Sequence, residues 1–268
     1  MPLAPARTLR TFRYAMYFNG VDAYVVIPLT VYGWSGITIQ EWIYPFNPKA
    51  NIAWSKFSMI GDYLTDYPSA FHGTDSRYDY TWVAHHFVTR RQDGTKGVRD
   101  FSFYAYRNSW VNIAWRFSIA DRAYVGYING NMVYSATIPS TEKTILEWNP
   151  DIATYPQYYK RFVLGASVMC HEHMKMMQYQ LLVYSRALSD SEILWNYQYP
   201  DNPVRNGLVL WLKADPNYVK DIDGDGRLEW VDLSGFGNHG KIYGAQLVQL
   251  VKTPARVLKP ARILTPAR

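Results

Sequence analysis

The 268-residue sequence predicts an all-β sandwich or barrel. Apolar and aromatic residues alternate with a period of two in many short blocks, and Gly, Pro, Asn and Asp bound those blocks. Only one brief segment carries a helix signature. A hydrophobic share of 48%, with 16% aromatics, is enough to fill a sizeable β core in one large domain or two smaller units.

The blocks follow one another from the N-terminus. They are AMYFNGVDAYVVIP (Ala15 to Pro28), GITIQEWIYPF (Gly36 to Phe46), DFSFYAYRN (Asp100 to Asn108) and WVNIAWRFS (Trp110 to Ser118). Then come AYVGYINGNMVYSATIP (Ala123 to Pro139), RFVLGAS (Arg161 to Ser167) and YQLLVYS (Tyr179 to Ser185). Within the fifth block, Asn129-Gly130 predicts a hairpin, because both residues tolerate the positive φ angles of a type I′ turn. The helix is ALSDSEILWNYQ, with Ser189 as N-cap, Glu192 three residues on to complete a capping box, and Pro200 to stop it.

Both ends carry the phrase Pro-Ala-Arg, once near the N-terminus and three times at the C-terminus, at Pro254, Pro260 and Pro266. Proline at this density forbids a helix, so residues 1–12 and 251–268 are expected to be extended tails. The repeat of six keeps Arg256, Leu258, Arg262, Leu264 and Arg268 on one side of a strand, and Ala255, Val257, Ala261 and Ile263 on the other. A polyproline-II ribbon would keep them aligned as well. The tail regions hold Arg7, Arg10, Arg13, Lys252, Arg256, Lys259, Arg262 and Arg268. These positive charges exceed the chain's net +6, so the body between is slightly negative. A single cysteine, Cys170, excludes an intrachain disulfide and any cysteine-cluster metal site. No apolar run reaches the length of a membrane span, and MPLAPARTLRTFR has no signal-peptide core. A chain starting here is therefore expected to begin life in the cytoplasm.

The phrases YFNGVDAYVVIP, ITIQEWIYP, WVNIAWRF, AYVGYINGNMVYS and LLVYSRALSDSEI resemble, in order, the strands and terminal helix of laminin G-like domains of the concanavalin A-like lectin/glucanase group. The resemblance covers Arg13 to about Tyr199 and implies a two-sheet antiparallel jelly-roll sandwich; the residues themselves add one short helix and extended basic tails. GLVLWLKAD (Gly207 to Asp215) and DLSGFGNHGKIYGAQ (Asp232 to Gln246) look like that family's usual beginning, moved here to the end. If they fill their ordinary places, residues 13–250 form one circularly permuted sandwich and both tails leave it side by side. Otherwise Gly207 begins a second, truncated unit or donates its strands to a neighbouring subunit.

The sharpest local motif is DIDGDGRLEWVD, which resembles EF-hand and especially dockerin calcium loops. Asp221, Asp223 and Asp225 stand at positions one, three and five, and Gly226 makes the turn. Arg227 would offer its carbonyl at seven, Glu229 would act through water at nine, and Asp232 would close the loop at twelve. The motif departs from the pattern in ending on Asp rather than Glu and in lacking a preceding helix, which weakens bidentate closure. CHEHMKMM would place His171 and His173 on one side of a strand, two ligands where a transition-metal site needs more; Met174, Met176 and Met177 read as core and rim.

No Glu-x-Asp-x-Glu triplet of the fold's glucanases occurs, nor a Gly-x-Ser-x-Gly elbow, nor a phosphate-binding glycine loop, so no catalytic residue is assigned. Trp34, Tyr63, Tyr67, Tyr78, Tyr80, Trp148, Tyr155 and Tyr158 fall in loops, where rings either pack or stack on sugars. The expectation is a non-catalytic, calcium-stabilised structural protein of a multimeric assembly, a virion coat or cell-surface component. Its tails would contact neighbouring copies of itself. A glycan-binding lectin or adhesin is the alternative, and nucleic acid a lesser partner for the tails.

Overall fold

The computed structural model describes residues 12–46, 55–62, 64–75, 82–104, 108–250 and 261–263. Its strands are β1 (Tyr14–Asn19), β2 (Tyr24–Pro28), β3 (Gly36–Pro45), β4 (Lys56–Gly61), β5 (Ser69–Asp75) and β6 (Trp82–Arg90). Next come β7 (Lys96–Tyr104), β8 (Val111–Ser118), β9 (Ala123–Ile128), β10 (Asn131–Thr137), β11 (Arg161–Leu164) and β12 (Lys175–Tyr184). The C-terminal part supplies β13 (Leu208–Lys213), β14 (Val219–Lys220), β15 (Glu229–Trp230), β16 (Gly240–Tyr243), β17 (Gln246–Gln249) and β18 (Ala261–Ile263). Two helices interrupt them, α1 (Pro156–Tyr159) and α2 (Asp190–Gln198).

These strands form two antiparallel sheets. The first runs β10-β9-β8-β3-β12-β1-β17-β18, with β13 also paired to β12; the second runs β14-β15-β16-β2-β11-β4-β5-β6-β7. Strand β12 organises the first sheet. One edge takes β3 along its length; the other is shared, with β1 on Lys175 to Gln178 and β13 on Gln180 to Tyr184. Residues 207–250 are thus built into both layers: β13 and β17 join the first sheet, and β16 brings β15 and β14 to β2 in the second. Arg13 and Leu250 meet, the Leu250 amide donating to the Arg13 carbonyl at 2.8 Å.

Period-two alternation sends one side of each strand between the sheets. There Phe18, Val25, Ile27, Ile39, Phe57, Phe87, Trp115, Phe117, Leu181, Leu210, Leu212 and Trp230 share one core. The outer face of the first sheet is also apolar, and α2 covers it with Ile193 against Tyr127, Leu182 and Tyr184. Ser189 accepts from the Glu192 amide at 3.3 Å and the Glu192 carboxylate accepts from the Ser189 amide at 2.8 Å, so the capping box forms as its sequence specifies. The β9–β10 turn has Asn129 at φ 51° and Gly130 at φ 77°, the left-handed pair expected of Asn-Gly.

Two differences from the sequence expectation have local causes. Pro156 at the first helical position pre-sets φ for a single turn, α1, which adds a second helix to the one the capping box announced. The CHEHMKMM segment is not a strand as far as Met174. Cys170 and Glu172 sit at φ 58° and 56°, which breaks any extended run before β12 begins at Lys175. Met174, Met176 and Met177 are core residues. Of the tails, Ala261–Ile263 pairs with β17; the extended conformation expected for residues 1–11, 251–260 and 264–268 lies outside the described residues, as do Tyr63, Tyr78 and Tyr80.

Candidate functional site

The rim of the second sheet gathers most of the chemistry. The exposed loop after β14 bends so that oxygens of Asp221, Asp223 and Asp225 lie within 4.8 Å of one another. Successive backbone amides fold onto the carboxylates: Gly224 and Gly226 donate to Asp221 at 2.8 and 2.9 Å, Asp225 donates to Asp223 at 3.2 Å, and Arg227 donates to Asp225 at 2.9 Å. Both Gly224 and Gly226 have positive φ, and a Cβ there would be strained. Carboxylate oxygens at this separation suit a hard cation about 2.4 Å from each.

Two members of the predicted ligand set lie elsewhere. Asp232 is buried and its carboxylate is saturated by its own turn together with one amide of β13. One oxygen accepts from the Trp211 and Ser234 amides at 2.9 Å, the other from the Ser234 hydroxyl at 2.7 Å and the Asn238 amide at 3.0 Å. Glu229 is also buried and accepts from the Ile222 amide at 2.8 Å, bracing the base of the loop. Arg227 turns its guanidinium over the Tyr243 ring, 4.3 Å from the centroid.

Sequence reasoning missed Lys241. It stands on β16 opposite Glu229, and its Nζ lies 2.9 Å from Asp223 and 2.7 Å from Asp225. Hydrogen bonds to Asp225 and Asp223 raise the Lys241 pKa, and the same ammonium lowers that of Asp223. One of the triad's three negative charges is therefore already offset by a side chain of the protein. A lysine nine residues beyond the motif, alternating onto a neighbouring strand, was the available signal.

Beside the loop, Tyr243 stacks on Tyr24 with centroids 4.6 Å apart and planes 7° from parallel, so that Arg227, Tyr243 and Tyr24 form one stack. Asp22, Tyr24, Asp225, Gly226, Arg227, Ile242, Tyr243 and Gly244 line an open groove of about 480 Å³. Burial, then the adjacent Cys170 and Tyr243, raise the Tyr24 pKa, and burial raises that of Cys170. His173 lies 5.9 Å from Tyr24, its pKa lowered by burial, while His171 is exposed. Among the described residues only the aspartate triad brings three metal-ligating groups together.

The segment from Gly165 to Met174 straps the outer face of the second sheet, burying Ala166 and Val168 against Met59, Phe71, Val88 and Val163. Under it lies Lys56, fully buried, 3.7 Å from Glu172 and 4.3 Å above the Phe71 ring. Of the loop aromatics, Tyr155 and Tyr158 face each other at 5.2 Å, and Tyr158 and Tyr67 pack at the margin of the strapped face. Trp148 lies under Arg90, and Trp34 packs on the main core.

The two antiparallel sheets form a jelly-roll sandwich. No family model matches the sequence, and no curated protein does. Among solved structures, a protein of Bacteroides ovatus described as a candidate carbohydrate-binding protein superposes with a TM-score of 0.62 at 12% identity, over 90% of this chain and 60% of the other. The binding domain of botulinum neurotoxin serotype D gives 0.50 at 13% identity, over 91% and 64%. A heptameric pentraxin of Limulus polyphemus gives 0.47 at 10% identity, over 69% and 82%. The chain thus spans about three fifths of the Bacteroides protein's length. At these identities the likeness is one of fold. No helix among the described residues is long and apolar enough to cross a membrane.

Proposed function

We propose that the protein is a non-catalytic, calcium-stabilised sandwich that binds carbohydrate at the rim of its second sheet and works within a multimeric surface structure, such as a virion coat. The groove beside the aspartate loop carries this reading. It presents phenol hydroxyls, two carboxylates, a guanidinium with no ion pair among the described residues, and the edges of stacked rings in one open concavity. That mixture of acceptors, donors and ring area is what a hydroxylated ligand needs for orientation. The described use of the Bacteroides ovatus protein, which shares the fold, points the same way. Calcium enters through the aspartate triad, whose hard oxygens suit it and whose stabilising effect would follow from binding only the folded loop.

A glycan array probed with and without calcium tests the ligand, and electron microscopy of the purified protein tests the assembly. Tyr243→Ala and Arg227→Ala are each expected to weaken a positive glycan by about tenfold or more, roughly 1.4 kcal/mol, without changing the melting temperature of the core. Binding that survives both substitutions would move the ligand away from this groove.

A further inference from the structure

We propose that the outer face of the β6–β7 hairpin is a second binding site, for a polysaccharide carrying sulfate or carboxylate groups, and that Lys143, Arg90 and Lys96 hold it. Strands β6 and β7 close one end of the second sheet, whereas β14 to β16 close the other, beside the rim groove. The site is therefore separate from that groove and does not rest on its reading.

Register builds the row. Arg90 ends β6 directly opposite Lys96 on β7. On its other side, past the start of β5 at Ser69, it faces Lys143, and the two exchange backbone hydrogen bonds of 2.9 and 2.7 Å. Directly opposed residues send their side chains to the same face of a sheet. Arg90 shares its face with Val88, two residues back, which packs on the outer side. Three cations thus stand side by side, about 4.8 Å apart from strand to strand and about 10 Å from end to end.

Like charges placed opposite one another repel, and no carboxylate among the described residues pairs with this row. Lys96 and Lys143 are exposed, and neither ammonium has a hydrogen bond or ion pair among the described residues. Arg90 lies over the Trp148 ring, 5.1 Å from its centroid, and reaches only the backbone carbonyl of Asp66, at 3.3 Å; the Asp66 carboxylate is turned to Thr154. The acid next to Lys143 in sequence serves the opposite face. Glu142 is buried against Thr89 and takes Arg99 at 3.2 Å and Arg91 at 3.6 Å. Gly97 makes room for it, because a Cβ there would come within 2.5 Å of the carboxylate. Alternation therefore gives one face of the hairpin its counter-charge and leaves the other without one. The turn that carries the row is braced: the Arg91 amide donates to the Thr95 carbonyl at 2.8 Å, and Asp93 accepts from the Thr95 amide at 2.9 Å. Cations fixed in a line suit anionic groups repeated along a chain. A nucleic-acid strand fits less well, since such sites pair cations with open rings on which bases stack, whereas Arg90 covers Trp148 and the body is slightly negative.

The full chain is titrated calorimetrically with dextran sulfate and with polygalacturonate, which separate the two anionic groups, with unsulfated dextran as the neutral control and single-stranded DNA as a rival polyanion. Replacing both exposed lysines, Lys96→Gln with Lys143→Gln, should weaken binding of the preferred anionic polysaccharide by about tenfold or more, flatten its dependence on salt, and leave the melting temperature unchanged. The charge-keeping pair, Lys96→Arg with Lys143→Arg, should bind like the parent, and so should Tyr243→Ala in the rim groove. Because the ends of the chain are also basic, a variant with Arg256→Gln, Arg262→Gln and Arg268→Gln is titrated beside them. The proposal is overturned if dextran binds as well as its sulfated form, if the glutamine pair keeps the parent's affinity, if the loss appears only in the arginine variant, or if DNA binds more tightly than either anionic polysaccharide. Should the glutamine pair melt early, loss of binding by the arginine pair would refute the row on its own.

Discussion

At the scale of single residues, two lysines set the behaviour of the second sheet. Lys241 bonds both Asp223 and Asp225 and offsets one of their two charges, so an incoming calcium ion competes with an ammonium held by two hydrogen bonds. Lys241→Met should therefore tighten calcium binding by about tenfold or more in calorimetric titration, and make the loop's folding more dependent on the ion. Equal affinity in the two proteins would show that the lysine does not compete. Lys56 acts through pH. Burial lowers its pKa to about 8, only partly offset by Glu172. Below pH 8 native and unfolded chains both hold the proton, and the cost of burying it, about 3 kcal/mol, is fully present. Between pH 8 and 10.5 the native state releases the proton first, so the unfolded state binds more protons and stability rises with pH. Above pH 10 buried tyrosines reverse the slope. Burial pushes Tyr127 up to about 12 and raises Tyr159 and Tyr184 as well, so the unfolded phenols ionise first. Denaturant midpoints across this range should pass through a maximum near pH 10, and Lys56→Met should remove the rise while keeping the fall.

Elements were legible in the sequence where a local rule agreed with the tertiary environment, and obscure where the two competed. Strand β3 sets Ile37, Ile39 and Ile43 at even spacing and all three reach the main core, though the inward position between the last two is the buried Glu41. The turn at Asn129-Gly130 and the cap of α2 needed only neighbouring residues. Asp232 shows the opposite case. Its spacing fits a calcium loop, yet an Asp-x-Ser turn offers its carboxylate nearby amides and a hydroxyl, and those local partners win. Lys56 was equally unreadable, because the strap that buries it lies more than a hundred residues away. The helix carries its own test. Glu192 accepts from Ser189 and from Arg186 at 2.6 Å, and the Arg186 hydrogen bond leads in lowering its pKa to about 2. Its folded pKa lies below the unfolded value, so its contribution is present above pH 4.5 and fades as the pH falls towards 2. Ser189→Ala should cost about 1 kcal/mol at neutral pH. A loss near zero in urea melts would mean that packing of Ile193 alone holds the helix in place.

At the scale of the molecule, the question is whether residues 207–250 complete the sandwich or merely decorate it. They supply Val209, Leu210, Leu212, Trp230 and Ile242 to the main core, and Leu208 and Trp211 to the layer beneath α2. Fully burying one large apolar side chain stabilises a fold by about 1.5 to 3 kcal/mol, and whole domains are stable by only about 5 to 15 kcal/mol. Losing these seven residues removes stabilisation comparable to that whole margin. It also bares an edge of β12, β1 and β2, each a template for pairing with another chain. A chain ending at Asn206 is therefore expected to aggregate, whereas co-expression with a tagged fragment of residues 207–250 should recover a soluble pair that melts cooperatively. Because Leu250 and Arg13 are hydrogen-bonded, the fragment's end returns to the body's beginning, and a short linker from Leu250 to Arg13 should close the pair into one chain that starts at Gly207. If that rearranged chain melts as a single unit near the temperature of the parent, its order of strands along the sequence is interchangeable with the present one. Two separate transitions, or a soluble and folded body without the fragment, would show that residues 207–250 stand apart.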